Sequence, residues 1–164
     1  MPEKAAKPAG RTRMGRLSKL FALSWQQRFV LVEALLWLAV TGAAIHTQPF
    51  QRLVNLLKLK AGETAAAGCP PVAEPVGWAI RVISLRTPWL STCLAQAMAG
   101  YIMLRRRQIP ATVYLGVAMS PTESLQAHAW LRCGEKILTG QAGRERYKTI
   151  ACFVAPAKNT PLDN

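Results

Sequence analysis

The sequence predicts an α+β chain. A helical N-terminal unit precedes a helix that opens on a cysteine and packs on a small antiparallel sheet carrying a histidine. Three observations carry that prediction. Apolar residues recur at helical spacing in Phe29–Ile45 and Pro49–Lys60. "STCLAQAMAGYIMLRRR", from Ser91, reads as a capped helix. Alternating runs follow it: "ATVYLGVAM", "LQAHAWLRC" and "KILTG". Helices gathered before strands point to α+β.

The elements follow in order. Residues 1–23 form a basic arm, with six Lys/Arg and one Glu in Met1–Lys19. Residues 24–60 form a helical unit. Ser24 is its N-cap, with Gln27 as capping-box partner, and the first helix runs to about Thr41–Gly42. "FVLVEALLWLAVTGAAI" resembles a signal core, but its charged lead is too long and Glu33 interrupts it. It is slightly short for a membrane span, so a buried or interfacial helix is expected. The second helix has Pro49 at its first position and sets Leu53, Val54, Leu56 and Leu57 on one face. Residues 24–60 are therefore expected to dock a partner protein and not to anchor in a membrane. Residues 61–75 read as a linker and 156–164 as a tail. The core occupies 76–155, starting with a helix that stops before Pro88.

Composition sets limits. At 164 residues and 51% apolar, the chain is one domain's worth with enough mass for a core. With 21 Lys+Arg against 8 Asp+Glu, the net charge is +13. That balance favours an acidic partner: nucleic acid, an anionic membrane face or an acidic polypeptide. The cysteines Cys69, Cys93, Cys133 and Cys152 form no CxxC pair, so a zinc ribbon is unsupported and reduced cytosolic thiols are expected. No metal or cofactor site is indicated.

The chemistry gathers at Cys93 and His128. Ser91 or Thr92 caps the helix, so Cys93 falls in its first turn, where unpaired N–H groups and the helix dipole favour a thiolate and an oxyanion. His128, Trp130 and Arg132 share one face of a strand. A hairpin turn at Gly134-Glu135 pairs Cys133 with Lys136, Trp130 with Thr139, and His128 with Gln141. A turn shifted by one residue sets His128 opposite Thr139. In either register Thr139 and Gln141 share the histidine's face. A thiol and an imidazole so placed suit nucleophilic attack on a carbonyl. The plainer reading is a buried cysteine and a core histidine.

The run "RTPWLSTCLAQAMAGYIMLRRRQIPATVYLGV…AHAWLRCGEKILTG" resembles the leader peptidases of lasso-peptide biosynthesis. "RFVLVEALLWLAV…QPFQRLVNLL" resembles their helical lead-in. The likeness covers about 25–57 and 76–140. It implies a papain-like, transglutaminase-like cysteine protease core, with Cys93 as nucleophile and His128 as general acid/base. The family often carries an Asp on the strand after the histidine. "KILTGQ" has none, which leaves Thr139, Gln141 or a backbone carbonyl to orient the ring, with Glu145 more distant. The substrate implied is the leader of a ribosomally made precursor peptide. A separate leader-recognition protein and an ATP-dependent lasso cyclase are the implied partners, in the bacterial cytoplasm. No cofactor and no nucleic acid are implied, and peripheral membrane contact stays open.

Two other readings stand beside this one. One is a basic membrane-surface or nucleic-acid-binding helical module with an incidental Cys and His. The other keeps the fold and transfers the acyl group to an amine. The Arg105–Arg107 run reads as a solvated helix end. Cys69 is expected to be exposed, Cys133 and Cys152 structural, and His46 on the surface. Trp89 or Trp130 is a candidate cleft residue.

Overall fold

The computed structural model describes residues 23–65, 68–88, 91–119 and 124–154. The basic arm up to residue 22, the tail and Trp89 lie outside them. Among the described residues four α-helices are seen: α1 (Trp25–Thr47), α2 (Phe50–Leu56), α3 (Glu74–Ser84) and α4 (Cys93–Arg106). Five strands follow the order β1-β5-β2-β3-β4 in one antiparallel sheet. These are β1 (Lys60–Ala61), β2 (Thr112–Met119), β3 (Leu125–Cys133), β4 (Lys136–Thr139) and β5 (Lys148–Val154). The α+β prediction holds, with α4 laid on the sheet.

The capping box of α1 forms as predicted, between Ser24 and Gln27. The helix does not stop at Thr41–Gly42. The Thr41 hydroxyl donates to the Trp37 carbonyl at 2.7 Å, and Gly42 is buried, so small residues let α1 press on α4 without breaking. Leu31, Ala34 and Leu38 join Val76, Ile80, Met98 and Leu131 in one core. Leu53 and Val54 of α2 are buried in it too and Leu57 packs against it, whereas Leu56, on the same expected face, is 78% exposed. Several large apolar side chains are also left bare on the outer side of α1.

The arginines at the end of α4 are solvated at Arg105 and Arg106, but all three also make contacts within the fold. Arg107 grips the Glu33 carboxylate with both terminal nitrogens, at 2.5 and 3.1 Å, and Arg105 donates to the Leu57 carbonyl at 2.6 Å. Arg106 lies 3.6 Å from Glu33. Because α1 runs antiparallel to α4, the only acid in α1 meets these cations.

The stretch 61–75 does more than connect. The Thr64 N–H donates to the Thr112 hydroxyl at 2.9 Å. Arg132 donates to Glu63 at 2.8 Å and to the Thr64 carbonyl at 2.7 Å, and the Tyr114 hydroxyl donates to Glu63. Hydrophobic periodicity carries no signal for such contacts, because single polar residues make them to distant strands. Cys69 is half-buried against the core, not exposed.

Strand β5 was not foreseen, yet it lies between β1 and β2. Its alternation is weak because both its faces are only partly covered. The β3–β4 hairpin turns at Gly134-Glu135 as predicted, with Gly134 at φ 55° and Cys133 opposite Lys136. A bulge then intervenes. Arg132 pairs with Ile137, but Leu131 pairs with Thr139, so Leu138 is an extra residue on β4.

Candidate active site

Thr92 opens the site. It is extended (φ −60°, ψ 158°), and its hydroxyl accepts from the Ala95 N–H at 3.2 Å, which starts α4 at Cys93. The lead-in is fixed by Gln96, whose side-chain amide donates to the Ser91 carbonyl at 2.8 Å. The Cys93 and Leu94 N–H groups have no acceptor among the described residues. Cys93 is half-buried. These free N–H groups at the helix N-terminus can stabilise negative charge on an attacked carbonyl oxygen.

His128 stands on β3 beyond the end of the shorter β4. Its ring lies 4.9 Å from that of Tyr147 and 6.1 Å from that of Trp130, centre to centre. Trp130 stacks on Tyr114, with centroids 5.4 Å apart. Gly116, the partner of His128 on β2, makes room: a Cβ there would lie 2.8 Å from the Trp130 ring. The His128 Nε2 sits 2.8 Å from the Gly140 carbonyl oxygen. A carbonyl only accepts, so the neutral ring carries its proton on Nε2, and Nδ1 keeps the lone pair of a base. Gly140 has φ 73°, and a Cβ on it would lie 2.4 Å from the Ala129 carbonyl, so only glycine fits this bend.

Cys93 and His128 line one cavity of about 550 Å³, with Arg81, Gln96, Thr139, Gly140 and Gln141 around it. No hydrogen bond joins the Cys93 Sγ to the imidazole among the described residues. The cavity brings together all four residues expected from the sequence, Cys93, His128, Thr139 and Gln141. The bulge at Leu138 sets Thr139 opposite Leu131 and turns it to the helix side of the sheet, with its methyl toward Gly100 of α4. A shift of one residue exchanges the faces of a strand, which is why the unbulged register misplaced it. The Thr139 hydroxyl is buried without a partner among the described residues. Gln141 lines the cavity but makes no hydrogen bond to the ring. Glu145 is exposed on the turn Arg144–Arg146, outside the cavity lining.

Four contributors were missed in the sequence: Gly140, Tyr147, Gln96 and Arg81. The glycine ending "KILTG" marked a turn, but nothing local to it shows where its carbonyl points. Arg81 reaches the cavity from α3, and a second cleft of about 610 Å³ continues past it to Trp78, Lys136 and Arg144. Arg81, Leu138 and Gln141 are common to both. The two clefts thus adjoin, lined by Arg81, Lys136 and Arg144 together with Glu74 and Glu135, the Lys136 charge being paired with Glu74.

Residues 31–152 match the family model Transglut_core3, described as the transglutaminase-like superfamily. No curated protein and no solved structure matches the chain.

Proposed function

The chain belongs to the transglutaminase-like superfamily, and on that premise we propose that it is a cysteine peptidase that removes the leader from a ribosomally made lasso-peptide precursor. The observation that carries the reading is the shared cavity of Cys93 and His128, with the imidazole held at Nε2 by the Gly140 carbonyl. In this reading Nδ1 takes the proton from the Cys93 thiol. The thiolate adds to the scissile carbonyl, and the developing oxyanion turns to the N–H groups at the start of α4. The imidazolium then protonates the leaving amine. Water, deprotonated by the same ring, releases the leader as a carboxylate from the thioester. The Gly140 carbonyl orients the ring in place of a carboxylate, which lends direction without a full counter-charge. The reading includes a separate leader-recognition protein, a cyclase that takes the freed amine, and a cytoplasmic setting. The likeness of "TCLAQAMAGYIMLRRRQIPA" and "AHAW" to leader peptidases supports it.

The test is leader release from the precursor in the presence of the leader-recognition partner. Cys93→Ala and His128→Ala are each expected to lower turnover by about a thousandfold or more. Cys69→Ala and Cys152→Ala should spare it. Unimpaired cleavage by the Cys93→Ala protein sinks the assignment. A leader product ending in an amide instead of a free carboxylate identifies acyl transfer to an amine.

A further inference from the structure

The outer side of α1 is bare. Trp25, Phe29, Val32, Leu36 and Val40 are 54–80% exposed, and their spacing puts them on one stripe. The other exposed positions between Phe29 and Ala43 are also apolar, so this stretch offers no charge and no side-chain donor or acceptor. From Trp25 to Ala43 it runs about 27 Å at the helical rise. By length and composition α1 could cross a membrane. Its opposite side forbids that without unfolding: Leu31, Ala34 and Leu38 are in the core, and Glu33 is clamped by Arg107. Pairing inward also removes Glu33 from the exposed face.

The arm of residues 1–19, with six Lys/Arg, precedes α1 in the sequence. Arg106, whose side chain is largely exposed, packs 6.0 Å from the Trp37 ring, midway along α1.

We propose that α1 lies in the plane of an anionic lipid surface, with the Trp25–Val40 stripe among the acyl chains and the chain's net charge of +13 drawing it to anionic headgroups. Two features favour lipid over protein. Protein interfaces carry about one hydrogen bond per 100–200 Å², and this stripe has only the Trp25 indole N–H from which to make one. A second copy would bring two chains of net charge +13 together, whereas an anionic surface attracts each of them. The inference does not depend on the peptidase reading and survives or fails separately from it.

The experiment is vesicle flotation of the full chain, carrying Cys93→Ala so that chemistry plays no part. Vesicles of phosphatidylcholine alone are compared with vesicles that also contain phosphatidylglycerol. Binding to the anionic vesicles is expected, weakened at least about tenfold by deletion of residues 1–19. The pair Phe29→Glu and Leu36→Glu should weaken it at least about tenfold as well. Circular dichroism checks that this pair folds, and Phe29→Ser with Leu36→Ser replaces it if it does not. Absence of flotation overturns the proposal, as does a stripe variant that floats like the parent. A stripe variant that instead turns a dimer into a monomer assigns the stripe to a second copy. Binding that only detergent releases means a spanning helix and overturns the in-plane placement.

Discussion

At the residue scale the site turns on Gly140, not on the side chains flanking it. Its carbonyl holds the His128 Nε2, and its φ of 73° admits no Cβ without a 2.4 Å clash on the Ala129 carbonyl. Gly140→Ala must therefore move the backbone that aims the imidazole. A loss of turnover comparable to that of His128→Ala is expected, with a drop in the unfolding midpoint. Thr139→Val tests the rival orienter. Its hydroxyl is buried and unpartnered among the described residues, so removing it should stabilise the fold by about 1 kcal/mol. Turnover should fall far less than in His128→Ala. A turnover loss in Thr139→Val matching His128→Ala would return the orienting role to Thr139. Cys93 and His128 were legible because a helix cap and a strand alternation are local patterns. The group that meets the His128 ring was not, because one inserted residue at Leu138 decides which side chain faces it, and a bulge leaves little trace in so short a strand.

At the element scale, the stretch 61–75 is joined to strands β2 and β3 by two groups that resist losing a proton, Tyr114 and Cys133. Burial, reinforced by the neighbouring Cys69 thiol, pushes the Cys133 thiol up from 9.0 to about 12. Burial and the Glu63 carboxylate push the Tyr114 hydroxyl up from 10.0 to about 12. In both, the folded state holds the proton more tightly than the unfolded state. The stabilisation is thus fully present below the unfolded values and is lost as pH rises through the folded ones. Folding free energy should decline between about pH 9 and 12. Denaturant titrations across that range should show a shallower decline for Cys133→Ala and for Tyr114→Phe, each set against the parent. Parallel curves for parent and variants would separate these groups from alkaline unfolding. The helices and the hairpin were readable from caps, periodicity and a glycine turn. The strap was not, because Glu63, Thr64 and Cys69 act through partners 48 or more residues away.

At the scale of the whole molecule, the helical unit and the sheet share one core. The matched family region begins at residue 31, inside α1, and runs to 152 in β5. Leu31, Ala34 and Leu38 pack in the same cluster as Ile80, Met98 and Leu131, and the Glu33 clamp ties α1 to the end of α4. The sequence separates residues 24–60 from 76–155 by a Pro/Gly/Ala-rich stretch, and that composition suggests independent bodies. Packing argues for one cooperative unit, because α1 fills a face that α3 and α4 cannot close alone. Leu38 is fully buried, so Leu38→Ala should cost about 2–5 kcal/mol. The loss should strike everywhere at once. Trp130 and Tyr114 lie on the far side of the sheet, and their near-ultraviolet signal reports on that side. In urea, this signal and the helical far-ultraviolet signal should disappear in one transition, shifted together by Leu38→Ala. If the helical signal alone shifts and the aromatic signal keeps its midpoint, residues 24–60 are a separate domain and the shared core does not couple them.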